Sequence, residues 1–409
     1  MPQPTEVLRH RWLIVIAAGA IMGAALGVRH VQGLFLQPVV STQGWPREAF
    51  GLALAVQNLV WGLAQPFTGM VADRHGSAKV LALGLLAYAG GLVLMAHAGT
   101  PGAFALTHGV LIGMALSGTA FGTVYGALSR IFPEGQRAWA MAVAGALGGL
   151  GQFCMVPVAQ GLLERADWQH AAVVLGVCLL ALAPLAVLLR DRSGRGAAGI
   201  AVAQPSMAAA IGQALRHRDF WLLNVGFTAC GFQLAFIATH MPAYLAERGL
   251  SVGQAGATLA IIALANIFGN YACARLGGRW PPRQVLSALY VARTLAIAVF
   301  VAVPVTPFSA YAFSAVMGFL WLGTVPLTNG VLSRIFGVRY IGTLFGLVFL
   351  GHQIGGFLGV WLGSLVYDAY RSYDLIWMAS IALGLMAAWV HWPIDDRPSP
   401  QASTAGIAS

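Results

Sequence analysis

The sequence predicts an all-α membrane protein: twelve transmembrane helices arranged as two six-helix bundles. Three observations carry that prediction. First, the 409 residues are 58% hydrophobic and 9% charged, whereas soluble domains carry about 25% charged residues. So few charges cannot cover a water-exposed surface, so lipid must solvate much of the chain. Second, apolar stretches long enough to span a bilayer, roughly 20 residues each, recur along the whole length. Third, the phrase Gly126-Ala-Leu-Ser-Arg-Ile-Phe132 returns 204 positions later as Gly330-Val-Leu-Ser-Arg-Ile-Phe336, with six of seven residues identical. A half-length repeat fixes the architecture before any single motif does.

The apolar stretches fall at about 11–38, 48–72, 79–98, 102–128, 138–163, 168–189, 219–246, 251–275, 284–303, 306–333, 339–367 and 371–392. Turn and charge signals separate them, among them Gly44-Trp45-Pro46-Arg47, Asp73-Arg74-His75-Gly76 and Trp280-Pro281-Pro282-Arg283. Arg9, His10 and Arg11 precede the first stretch like the basic end of a secretory leader. That stretch runs on to about Val40, too long for a cleaved segment, and reads as a retained first span. Residues 190–218 are rich in arginine, glycine and serine and read as a linker between bundles 1–189 and 219–393, with a short surface helix near 207–215. Residues 394–409 read as a disordered tail. The 51 glycines suit helices packed backbone to backbone in a membrane.

The charges set the orientation. Under a twelve-span topology, 17 of the 23 Lys and Arg residues fall on the side of the N-terminus and four on the other, with Arg29 and Arg293 inside spans. Cytoplasmic loops hold the excess of positive charge, which places both termini in the cytoplasm. The net charge of +10 is spread over short gaps between spans, which excludes a nucleic-acid surface. Cys154, Cys178, Cys230 and Cys273 lie far apart in apolar runs, without metal-ligand spacing, and read as small core residues. No nucleotide loop, zinc motif or nucleophile constellation is present, which speaks against an enzyme and against any cofactor. A duplicated membrane bundle points instead to a transporter with its substrate site between the halves.

Between the second and third stretches stands Gly69-Met-Val-Ala-Asp73-Arg74-His-Gly76-Ser-Ala-Lys79. It resembles the loop signature of the major facilitator superfamily, Gly-x-x-x-Asp-Arg-x-Gly-x-x-Lys/Arg. The resemblance covers residues 10 to 393 and implies that Gly69, Asp73, Arg74, Gly76 and Lys79 form a cytoplasmic gating loop. It also implies a monomer. At the matching place in the second half, Gly277 stands where an acid would sit. The first span, Gly27-Val-Arg29-His30-Val-Gln32-Gly33-Leu-Phe35-Leu-Gln37-Pro38, is similar to bacterial relatives of the monocarboxylate transporters. The lysine that animal members carry there aligns with His30. Their Asp and Arg pair in the eighth span aligns with Asn266 and Asn270, so that charge pair is missing here.

Arg29 is the sharpest single clue. A charge at mid-membrane costs roughly 2.5–3.5 kcal/mol on insertion scales and so faces an interior cavity. All thirteen acids map to helix ends or loops, which leaves Arg29 without a counter-ion. A guanidinium offers forked donors matched to a carboxylate. An ion pair at 4 Å and an effective dielectric of 20 is worth about 4 kcal/mol, the scale of millimolar binding. The expected cargo is a small organic anion, a monocarboxylate by resemblance, moved through a bacterial inner membrane. A coupled proton would fall to His30, His240 or His352, whose side-chain type titrates near neutrality. Gln32, Gln57, Tyr125, Gln152, Gln233, Asn266, Asn270, Asn329 and Gln353 complete the expected cavity lining. Trp61 and Gln65 share the Gln57 face, and His97 and His108 read as structural residues near outer helix ends. An exporter of amphipathic drugs is the alternative. Cationic cargo would call for an intramembrane acid, and none is present.

Overall fold

The computed structural model describes residues 4–191, 207–336 and 341–396. Twelve long helical units follow one another: α1 (His10–Gln43), α2 (Arg47–His75), α3 (Ser77–Ala96), α4 (Pro101–Ile131), α5 (Glu134–Arg165) and α6 (Trp168–Leu189), then α7 (Arg218–Glu247), α8 (Val252–Arg279), α9 (Pro282–Ala302), α10 (Pro307–Phe336), α11 (Ile341–Tyr370) and α12 (Asp374–His391). A short helix, Met207–Arg216, precedes α7. Eleven units are long and apolar enough to cross a membrane; α2, 29 residues long, is not among them. Its sequence carries Gln57, Asn58 and Gln65 in mid-helix and charges at both ends. Among the described residues there is no strand.

The outer surface is apolar. Phe67, Leu83, Phe308 and Trp389 are all exposed, as expected where hydrocarbon replaces water. Cys154 and Cys178 belong to this exposed set, while Cys230 and Cys273 are buried. The core reading therefore holds for only two of the four cysteines. All four sit on apolar helices, and the side of the helix decides exposure.

Small residues bring backbones together at matching places in the two halves. In the first half, Gly23 of α1 lies against Gly151 of α5, and a Cβ on either would press into the other's backbone. In the second, a Cβ at Gly231 of α7 would strike the His352 carbonyl of α11, and one at Gly355 would strike the Thr228 carbonyl. Dispersion and close packing replace the hydrophobic effect between helices in lipid, and only glycine permits this approach. The same pairing, first helix on fifth, therefore recurs in each half.

The fourth helix of each half breaks at the same repeated position. α4 is helical to Thr119, extended at Ala120, and helical again from Phe121. α10 stops at Phe319 and resumes at Thr324. The repeated seven-residue phrase closes each resumed segment. A break frees carbonyls that lipid cannot satisfy. In α4 the Ser117 carbonyl accepts from Gln65 Nε2 at 3.3 Å and from Thr123 Oγ1 at 3.2 Å. In α10 the Leu322 amide donates to Asn266 Oδ1 at 3.0 Å. Arg293, fully buried, donates from Nε to the Leu320 carbonyl at 3.0 Å and from Nη2 to the Leu320 and Trp321 carbonyls. Its Nη1 donates to Cys230 Sγ at 3.2 Å. Arg293 is thus a cation at a helix C-terminus, where the helix dipole favours it.

Hydrogen bonds to a charged group contribute about 1.5–3 kcal/mol each. Arg293→Met should therefore cost about 3 kcal/mol and lower the melting temperature in detergent. Arg293→Lys should recover only part of the loss, because a compact ammonium lacks the planar fork that reaches both carbonyls and Cys230 Sγ at once, and Cys230→Ala should cost far less. An Arg293→Met protein melting like the wild type would refute this account of the break.

Candidate functional site

The halves meet along three seams. α1 touches α7, where a Cβ at Gly33 would strike the Ala238 carbonyl. α2 runs antiparallel to α11, with Gly51 against Ser364 and Gly62 against Gln353. α5 meets α8, where Gln160 Nε2 donates to the Val252 carbonyl at 3.0 Å.

Arg29 sits at the end of the regular part of α1, just before the chain tightens into a 3₁₀ turn over Val31–Phe35. Its Nη2 donates to Asn58 Oδ1 of α2 at 2.8 Å. Its Nε is buried and has no partner among the described residues. No carboxylate among those residues pairs with it. The neighbouring His30, buried, crosses to the other half, where its Nε2 donates to the Leu259 carbonyl of α8 at 2.9 Å. That bond places the ring proton on Nε2.

The α2–α11 seam gathers aromatic rings. Trp61 meets Phe349 edge-on with centroids 5.4 Å apart, and its Nε1 donates to Gln65 Oε1 at 2.9 Å. His352 stacks on Phe349 and lies 4.7 Å from the Phe227 ring, with Nδ1 buried and unpartnered. Gln353 is buried with Nε2 unpartnered. The structure sets Asn58, which the expected set lacked, beside Arg29 and against Gly356 of α11, while Gln353 packs on Gly62 and His352 on Phe227 and Phe349. Asn58 was passed over in the sequence because its neighbour Gln57 carried the polar stripe. One residue on a helix is 100° of rotation, and here Gln57 turns into its own half: its Nε2 donates to the His108 carbonyl of α4 at 2.9 Å.

Other expected residues lie elsewhere. Gln32 faces a cavity of about 10 Å³ inside the first half, lined also by His108 and Phe50. Both amide atoms of Gln32 and both ring nitrogens of His108 are unpartnered there, and His108, near the start of α4, is buried. Gln233 donates to the Ser380 carbonyl of α12 at 2.8 Å, inside the second half. Asn266 holds the α10 break, Asn270 is exposed, and Asn329 donates to its own helix at Val325. Tyr125 is half-buried beside Phe121, and Gln152 is buried.

At the end of the bundle remote from the termini, charges tie the halves together. Asp368 of α11 accepts from the Arg47 and Glu48 amides, at 3.3 and 2.7 Å, capping the start of α2. Arg47 pairs with Glu247 of α7, lies 3.6 Å over the Tyr367 ring, and donates to the Tyr373 hydroxyl at 2.7 Å. Burial raises the Tyr373 phenol pKa, so it stays a hydroxyl and can donate to His240 Nδ1, 3.2 Å away. His240 Nε2 in turn donates to the Val360 carbonyl at 2.9 Å. His240 thus belongs to this end cluster and not to the Arg29 seam.

At the opposite end the gating-loop signature takes shape. Gly76 ends α2 at φ 91°, a conformation that favours glycine. Arg74 and Lys79 are exposed, and no atom approaches the Cβ position of Gly69. The side chain of Asp73 lies outside the described residues. The acid that closes this corner is Asp191, just past α6. It accepts from the Ser77 amide and hydroxyl, both at 2.7 Å, and pairs with Arg130 of the repeated phrase. The second half repeats the device: Arg334, at the matching place in the phrase, pairs with Asp396 at 3.2 Å, and Arg283 lies 3.7 Å from the same carboxylate. Gly277 therefore does not leave the second half without an acid. With Ile394 buried and Asp396 paired, residues 394–396 are tied to the bundle; residues 397–409, like 192–206 of the linker, lie outside the described residues.

Comparison with known proteins follows this geometry. A family model described as Major Facilitator Superfamily matches residues 11–360. Monocarboxylate transporter 13 of Bos taurus is 26% identical over 380 residues, covering 93% of this chain and 88% of that protein. The oxalate:formate antiporter of Oxalobacter formigenes is 24% identical over 381 residues, covering 89% and 87%. A bacterial homolog of the human lysosomal transporter Spinster, crystallised in an inward-facing and unoccupied conformation, shares the fold with a TM-score of 0.77 at 16% identity, over 96% of this chain and 99% of that one. From its duplicated helical halves to the family match along most of its length, the chain belongs to the major facilitator superfamily and is a multi-pass membrane transporter.

Proposed function

We propose that this transporter carries a small organic anion, a carboxylate, by alternating access. One observation carries the reading. A guanidinium lies at the junction of the two halves, held by a neutral amide and unmatched by any carboxylate among the described residues. An unneutralised buried charge is costly, and a negatively charged passenger would offset that cost. Two relatives whose names specify carboxylate cargo support the class. The drug-exporter alternative gains nothing from this site, which presents donors and a positive charge.

In this reading α2 is the twelfth span, its polar face turned to protein and its ends held by charge clusters. Both termini lie in the cytoplasm of a bacterial cell, and the protein works as a monomer. The end cluster of Arg47, Glu247, Asp368 and Tyr373 is then the closed outer gate, which supports a cytoplasm-facing arrangement. Gly69, Asp73, Arg74, Gly76 and Lys79 form the inner gating loop with Asp191. A coupled proton would sit on His30 or His352 near the cargo, or on His240 at the outer gate.

Two measurements test this. A thermal-shift screen of oxalate, formate and lactate should stabilise the wild type with at least one of them, and that shift should vanish in Arg29→Gln. Uptake of the same acid into vesicles should fall at least tenfold while dye efflux is unchanged. Retained carboxylate binding in Arg29→Gln would sink the reading. For orientation, a cysteine-free chain carrying Arg248→Cys should react with an impermeant maleimide on whole cells, and one carrying Arg279→Cys only after permeabilisation. The reverse pattern would invert the topology.

A further inference from the structure

We propose that Asn58 is the second anion-binding group of the site and fixes its preference for a planar, two-oxygen anion; this rests on the Arg29 reading above. The argument begins with the amide. An asparagine side chain has one accepting and one donating end, and a guanidinium only donates. Arg29 Nη2 stands 2.8 Å from Asn58 Oδ1, so the accepting end must face the arginine and the amide cannot flip. Its NH₂ group is thereby left unengaged by Arg29. That nitrogen is buried and has no partner among the described residues. It points toward α11 at Gly356, where a Cβ would stand 3.3 Å from it. Any other residue at 356 would crowd the amide.

Two adjoining side chains therefore each keep a buried donor unused: Arg29 at Nε and Asn58 at Nδ2. Leaving buried donors unpaired is unfavourable, and anionic oxygens are the acceptors that suit both. A carboxylate has two oxygens and about four lone-pair sites. One oxygen can meet the guanidinium, and the other the amide. A spherical anion such as chloride cannot serve both in this way, and the one acceptor, Asn58 Oδ1, is already turned to Arg29. The amide also spans the junction, because it is bonded to α1 through Arg29 and lies on α11 at Gly356. The second donor is thus placed where the two halves must separate.

The experiment compares binding of oxalate, formate and lactate to purified full-length variants, by thermal shift and by equilibrium binding of the labelled acid. Asn58→Ala should weaken the bound acid by about 10- to 100-fold, the effect of losing one hydrogen bond to a charged group. Weak chloride competition should be unchanged. Asn58→Asp should supply Arg29 with an internal counter-ion. It should abolish acid binding while leaving the ligand-free melting temperature equal to or above the wild type, an outcome that mere structural damage cannot produce. Gly356→Ala should weaken binding in the same direction, and it keeps the idea testable if Asn58→Asp does not fold. In the Arg29→Gln background, Asn58→Ala should have no further effect on binding. If Arg29→Gln loses the acid while Asn58→Ala and Asn58→Asp bind it like the wild type, the role of Asn58 is overturned and the Arg29 reading stands. If Arg29→Gln binds normally, or none of the three acids binds the wild type, both fall together.

Discussion

The constraint from which this architecture follows is the absence of water in the bilayer core. Every backbone amide, carbonyl and charge at that depth must find its partner within the protein. Regular helix meets most of the demand. Where the fourth helix of each half breaks, side chains from neighbouring helices take over: Gln65 at Ser117, and Asn266 and Arg293 around Leu320 to Leu322. Arg29 is the exception that gives the rule its functional content. Its fork is only partly occupied, by one neutral amide.

Arg29 and Arg293 show how the same residue type reaches two outcomes. Both lie inside apolar spans, and neither has a carboxylate partner among the described residues. Arg293 spends its donors on the carbonyls of a broken helix and on Cys230. It is satisfied by the protein and holds a fold. Arg29 donates to a single amide oxygen and keeps Nε unpartnered among the described residues, so donor capacity is left over. The difference lies in the local supply of acceptors: two carbonyls and a thiol at Arg293, one amide oxygen at Arg29.

Duplication explains the symmetry of the scaffold and the asymmetry of the site. Glycine-mediated pairing of first and fifth helices, the broken fourth helices, and the pairs Arg130–Asp191 and Arg334–Asp396 all occur once per half. These are packing and corner devices that each half needs for itself. The polar groups at the seam are not duplicated. Arg29 and Asn58 come from the first half, and Asn58 meets Gly356 from the second.

The sequence by itself determined the membrane character, the run of helical segments, the repeat and the presence of Arg29 inside an apolar span without an acid nearby in sequence. Composition, apolar length and a charge without an acid are one-dimensional properties, and they survive any folding. It also marked Asp73, Arg74 and Gly76 by a spaced motif, but not Asp191, whose role at Ser77 and Arg130 needs three distant segments to converge. Only the tertiary structure decided which polar residues share the Arg29 seam. It turned Gln57 and Gln233 into their own halves, sent His240 to the end cluster, and chose Asn58. The reason is that a helix repeats every 3.6 residues, so a rotation of one residue moves a side chain from the seam to the bundle interior. That rotation is set by which glycines let which helices touch, and no single segment records it.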